Sequence, residues 1–83
     1  MYYEINVTKN NKHYFATADR SITTLEKLKE LLEQFSICFP ARDGFELFVN
    51  YNPERYLGFL IDPTNSVFDE VEKIRDTIYP KAL

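Results

Sequence analysis

The sequence predicts an α+β fold of the order ββαββα, with two helices packed on a four-stranded antiparallel sheet. Two observations lead to this prediction. Two segments alternate apolar and polar residues around a turn signal, and each is followed by apolar residues at helical spacing. Hairpins that alternate with helices are typical of a sheet covered by helices. The 83 residues suit a single domain, 1–83.

The first hairpin is predicted over residues 3–18, where apolar and polar side chains alternate on both sides of Asn10-Asn11. Asparagine tolerates the left-handed backbone that tight turns need. If Thr8 pairs with His13, strict alternation puts Phe15 on the more polar face of the sheet.

The first helix is predicted to begin at Thr23, because Glu26 three residues later completes a capping box. Apolar residues recur at spacings of three and four up to Phe39, and Pro40 ends the helix. Cys38, the only cysteine, lies on this apolar stripe, so we expect a buried thiol without a catalytic role. A lone cysteine allows no internal disulfide, which favours a reducing, cytoplasmic location.

The second hairpin is predicted over residues 45–62, with a turn at residues 52–55. This turn places Tyr51 opposite Tyr56 and makes both faces of the hairpin apolar. One face then carries Phe45, Leu47, Val49, Tyr51, Tyr56, Gly58 and Leu60, and the other carries Phe48, Leu57, Phe59 and Ile61.

Two explanations of this doubly apolar hairpin stay open. One helix covers each face, or a bulge shifts the register, and then no apolar surface is left over. Alternatively, both helices share one face and the aromatic row on the other face meets a partner, because exposed apolar patches mark interfaces.

The second helix is predicted to begin at Ser66 and to stop before Pro80. Asp69, Glu70 and Glu72 in its early turns suit the helix dipole and indicate a solvated face. The two helices also align at an offset of 43, which matches Thr23 with Ser66.

Residues for catalysis are sparse. His13 is the only histidine, and no acid or thiol lies at a spacing that would orient it. The two glycines, Gly44 and Gly58, cannot form a phosphate-binding loop, and we expect Gly58 to accommodate a neighbouring aromatic ring or the first helix. The sequence therefore predicts no enzyme activity, no cofactor and no metal site.

The function that these patterns favour is a protein-binding module, and a homodimer is one form of it. Single-stranded nucleic-acid binding through Phe15, Phe48 and Phe59 is the alternative, although a net charge of −3 argues against it. The apolar runs are too short for a membrane span, and the N-terminus does not resemble a signal peptide. The candidate contact residues are Phe15, Phe48, Leu57, Phe59, Tyr51, Tyr56, Asp69, Glu70 and Glu72.

The segment from His13 to Thr24, together with the following helix and Phe39-Pro40, resembles small accessory proteins of temperate phages and other mobile elements. The resemblance covers the first half of the chain. Some of these proteins inhibit host defence complexes, including CRISPR effectors. The resemblance therefore implies an inhibitor that acts by binding another protein.

Overall fold

The elements occur in the predicted order in a computed structural model, which describes residues 1–18, 20–52 and 57–80. A short 3₁₀ helix, Ala41–Asp43, precedes the third strand. The α+β class is therefore confirmed. The strands are β1 (Tyr2–Lys9), β2 (Lys12–Ala16), β3 (Phe45–Asn52) and β4 (Gly58–Leu60), and the α-helices are α1 (Leu25–Cys38) and α2 (Val67–Ile78).

The strands form one antiparallel sheet in the order β2-β1-β3-β4. The central strands β1 and β3 pair along their whole length, from Tyr2 opposite Asn52 to Lys9 opposite Phe45. The shorter strands β2 and β4 lie at the two edges. The turn between β1 and β2 contains Asn10 and Asn11, both with positive φ (52° and 65°), as expected for a two-residue hairpin turn.

A bulge in β2 changes the face on which one predicted contact residue lies. Thr8 pairs with His13 as predicted, but Val7 pairs with Phe15, so Tyr14 is an extra residue in β2. Phe15 therefore lies on the same side of the sheet as Val7, and its predicted position on the polar face is wrong. Strict alternation cannot anticipate an inserted residue.

The register of the second hairpin also differs from the predicted one, by one residue. Val49 pairs with Phe59, and the backbone N–H of Tyr51 donates to the carbonyl of Leu57 at 3.0 Å. A shift of one residue moves every side chain of a strand to the other face. The residues that move to the core side are Leu57, Phe59 and Ile61. The predicted partner of Tyr51, Tyr56, lies outside the described residues.

Both helices begin with a hydroxyl cap. Ser66 accepts a hydrogen bond from the N–H of Asp69 (3.1 Å), as predicted. The cap of α1 is Thr24, which accepts from the N–H of Lys27 (3.1 Å), so α1 begins one residue later than predicted. The two caps are thus 42 positions apart instead of 43.

Both helices pack on the same face of the sheet. Alternate residues of β1 and β3 meet the buried side of each helix, and this side of the sheet is called the core face below. The other side, called the open face, contains no buried residue among those described. The core consists of Tyr3, Ile5, Val7, Ile22, Leu28, Leu32, Leu47, Val49, Tyr51, Val71 and Ile74.

Candidate protein-binding surface

The predicted contact residues of the second hairpin do not form one surface. Tyr51 is only 5% exposed and belongs to the core. Leu57 and Phe59 are half-buried and pack against the core from β4 and the residue before it. Of the predicted aromatic row, only Phe48 lies on the open face, where it pairs with Leu60. Of the explanations left open for the doubly apolar hairpin, the register shift is confirmed: it places the other members of the row beneath the helices, and no second apolar face remains among the described residues.

Phe48 lies across the backbone of Gly58 on the open face. A methyl group on Gly58 would lie 2.5 Å from Cζ of Phe48, so a side chain there would displace the ring. This contact confirms that Gly58 accommodates a neighbouring aromatic ring. Leu60 beside it is 59% exposed, but the residues that surround this pair on the open face are largely polar.

The predicted acidic contacts of α2 lie in three different settings. Asp69 is exposed, and Glu72 is half-buried and pairs with Arg75 at 3.3 Å. Glu70 is only 5% exposed and cannot contribute to a surface.

Glu70 instead fixes the segment that joins β4 to α2. Its Oε1 accepts from the backbone N–H of Asp62 (2.6 Å), and its Oε2 accepts from Nδ2 of Asn65 (3.2 Å) and pairs with Nζ of Lys73 (3.0 Å). Burial alone would raise the pKa of Glu70, but these hydrogen bonds outweigh it and hold the pKa below its usual value. Glu70 is therefore a charged structural residue.

Five aromatic rings form a continuous cluster between β2, the end of α1 and the start of β3. Their centroids are 5.3 to 5.8 Å apart and their planes are steeply inclined, which is the favoured edge-to-face geometry. The rings belong to Tyr14, Phe15, Phe35, Phe39 and Phe45, and they are called the aromatic cluster below.

The aromatic cluster is open to solvent on the side of β2. Tyr14 is 54% and Phe15 37% exposed, whereas the other three rings are half-buried. Tyr14 rests on Phe45, and Phe15 rests on Phe35 and Phe39. Two exposed rings are thus held in place by three that are partly covered.

Of the aromatic cluster, the sequence reasoning identified only Phe15, and for the wrong face. The missing information was the bulge, which moves Phe15 to the helix side, where Tyr14 already lies by strict alternation. One signal was present in the sequence: Phe35 and Phe39 are one helical turn apart at the end of α1, just before the phenylalanine that begins β3.

A groove of about 750 Å³ lies next to the aromatic cluster, between the end of α1 and the start of α2. Its walls include apolar residues such as Leu47 and Val67, and both Arg42 and Asp62 border it. In the described part of the chain, every buried side-chain nitrogen or oxygen has a hydrogen-bond partner. No buried polar side chain of the described residues is therefore left unpaired to select a ligand in the groove.

Tyrosines occupy the opposite end of the sheet. The rings of Tyr3 and Tyr51 lie 5.3 Å apart. Burial, with smaller contributions from the neighbouring Tyr79 and Tyr51, raises the pKa of Tyr3 to about 12. Because Tyr3 is only 3% exposed and stays neutral at physiological pH, we assign it to the core.

The reactive residue types are dispersed. His13 is exposed, and its Nε2 lies 3.1 Å from Oδ1 of Asn6. Cys38 is exposed, so the expected burial of this thiol is wrong: it lies at the last position of α1, one helical turn after the exposed Gln34, at the border of the apolar stripe. Residues 1–18, 20–52 and 57–80 contain no cluster of three or more His, Cys, Asp or Glu side chains that could hold a metal ion.

Comparisons with protein-family models, with curated proteins and with solved structures found no match to this chain. Within the described ranges, no helix is long and apolar enough to cross a membrane.

Proposed function

We propose that the chain is a non-catalytic protein-binding module, and that Tyr14 and Phe15 are its main contacts. The observation that carries the proposal is the exposure of these two adjacent rings on an edge strand (54% and 37%), supported by three further rings. Aromatic residues dominate binding hot spots because they contribute a large contact area and lose little conformational entropy. Rings that are already held in position lose less still.

The competing explanation is that the exposure of Tyr14 and Phe15 has no role in binding, since single exposed apolar residues are common on soluble proteins. Phe68 and Ile37, 54% and 79% exposed, fit that description, because neither belongs to the aromatic cluster and, within the described residues, Phe68 has only Nζ of Lys29 over its ring, at 5.7 Å. Tyr14 and Phe15 differ from them in belonging to a contiguous cluster of five rings. We therefore propose a role in binding for this pair and none for Phe68 and Ile37.

Nucleic-acid binding by stacking on the open face is less well supported. Of the three rings predicted to stack, Phe15 and Phe59 lie on the core side of the sheet and only Phe48 lies on the open face. A single ring on a face without a row of cations is a weak platform for a single strand.

The partner is a further part of the proposal. The segment that resembles accessory proteins of temperate phages, His13 to Thr24, includes Tyr14 and Phe15. We therefore propose a host defence complex as the first partner to test, with loss of CRISPR interference in cells that express the chain as the readout. Self-association is the alternative, and sedimentation of the purified chain measures it directly.

The decisive experiment compares capture of partner proteins by two double variants. We expect Tyr14→Ser/Phe15→Ser to reduce the affinity for a captured partner roughly 30-fold or more, the loss typical of a hot spot of about 2 kcal/mol. The matched control is Ile37→Ser/Phe68→Ser, which removes two apolar side chains elsewhere that are at least as exposed, and it should bind normally. Circular dichroism and thermal unfolding verify that both variants fold. Equal binding by the two variants would disprove the proposal.

A further inference from the structure

We infer that the partner supplies an extended, acidic segment that pairs with the outer edge of β2. This inference rests on the proposed protein-binding function and specifies the chemistry of the partner.

Strand β2 lies at an edge of the sheet. The strand order leaves one side of β2 without a neighbouring strand among the described residues, and Lys12 to Phe15 are all exposed. Backbone N–H and C=O groups on such an edge can pair with an added strand, while side chains along the edge provide specificity. Tyr14 and Phe15 lie on this strand and would contact the side chains of the added segment.

The edge of β2 carries both protective features and exposed aromatic rings. A bulge and a lysine are devices that protect an edge strand from unwanted pairing, and β2 has both, at Tyr14 and Lys12. Protection alone does not explain two exposed aromatic rings, because these would promote the contacts that the charge discourages. The combination favours one selected partner over indiscriminate association.

The first hairpin carries more positive than negative charge. Lys9 and Lys12 form no ion pair within the described residues. The one carboxylate in residues 2–16 is Glu4, whose Oε1 accepts from Nδ2 of Asn6 on the same strand, and the oppositely charged Asp19 and Arg20 follow the hairpin in sequence. The first hairpin is thus locally basic in a chain whose net charge is −3.

A basic edge selects an acidic partner, because like charges that face each other across an interface are unfavourable. For the same reason, a second copy of the chain is disfavoured, since antiparallel pairing of two β2 strands would bring two basic hairpins together. An acidic segment of another protein would supply both the negative charge that the basic hairpin attracts and the backbone groups that pair with the edge of β2.

The experiment uses a phage-displayed library of random dodecapeptides, selected against the wild-type chain. We expect the selected peptides to be rich in Asp and Glu that alternate with apolar residues. Binding of one such synthetic peptide should slow hydrogen exchange of β2 amides. Lys9→Glu/Lys12→Glu should weaken it roughly tenfold at low salt, whereas the control Lys27→Glu, on the first turn of α1, should not.

Several outcomes would overturn the inference. Selected peptides without acidic enrichment, binding without slowed exchange in β2, or a selection that yields no peptide would each contradict it. Competition by labelled oligothymidylate for the same edge would point to nucleic acid instead. If the peptides are not acidic but lose binding in Tyr14→Ser/Phe15→Ser, the inference fails while the proposed function stands. If neither peptides nor captured proteins depend on these two rings, the proposed function fails as well.

Discussion

The two ββα halves of the chain anchor the start of their helices with different kinds of side chain. In each half a hydroxyl side chain caps the helix, and the residue four positions later is buried: Thr24 and Leu28 in the first half, Ser66 and Glu70 in the second. One of these buried residues is an aliphatic side chain and the other is a carboxylate. Equivalent positions in a repeated topology therefore do not require the same kind of interaction.

The contrast extends to the segment before each helix. In the first half, the fully buried Ile22 holds this segment, and its carbonyl accepts from the N–H of Tyr3 at 2.8 Å. In the second half, Glu70 holds the corresponding segment through Asp62 and Asn65. Apolar packing depends on shape alone, whereas the carboxylate stabilises the fold only while it is charged and all its partners are present.

The largest effect is expected at the aliphatic anchor. Leu28→Ala should lower the free energy of unfolding by about 2–5 kcal/mol, because a fully buried side chain is replaced by a cavity. Urea unfolding monitored by circular dichroism measures the change. A loss well below this range would mean that the core of the first half can collapse around the smaller residue.

Replacing Glu70 by an aliphatic residue, as found at the equivalent position of the first half, should destabilise the fold. Glu70→Leu leaves the N–H of Asp62 without its acceptor, so we expect a loss of about 1–3 kcal/mol despite the added apolar surface. Glu70→Gln is the matched control, because it keeps an oxygen that can accept from this N–H and should cost less. A Leu variant more stable than wild type would show that the two halves are interchangeable at this position.

The carboxylate of Glu70 should make the stability of the chain depend on acid. Because the folded-state pKa of Glu70 is lowered, its contribution is present above its unfolded pKa of about 4.5 and is lost as the pH falls through the folded pKa. The stability difference between wild type and Glu70→Gln should therefore shrink as urea unfolding is repeated from pH 7 to pH 3. A difference that stays constant would exclude the charge of Glu70 as its cause.

The smallest effect concerns the edge strand β4, which begins at Gly58. Gly58→Ala should cost roughly 1 kcal/mol or less, since the ring of Phe48 on the open face can move aside. In a Phe48→Ala background the same change should stabilise the fold by about 0.5–1 kcal/mol, because alanine is favoured over glycine within a strand. A double-mutant cycle of thermal unfolding measures the difference. Equal effects in the two backgrounds would show that the ring does not act on Gly58.

Sequence periodicity predicted the element order, both hairpins and the cap at Ser66, because these depend on local residue patterns. It misplaced Phe15 and Phe59, because a bulge in β2 and a one-residue register shift in the second hairpin invert the side chains that follow them. Register depends on packing across strands that are distant in sequence. The roles of Glu70 and Tyr14 could not be predicted for the same reason, because each depends on a contact that the topology creates.

The exposed thiol of Cys38 can be labelled selectively. It is the only cysteine in the chain and directly precedes Phe39 of the aromatic cluster. A maleimide fluorophore or spin label attached there would sit beside the proposed contact surface without any engineered mutation. Titration of the labelled chain could thus follow docking in real time, and dipolar broadening between labels would reveal whether two chains come together through this end.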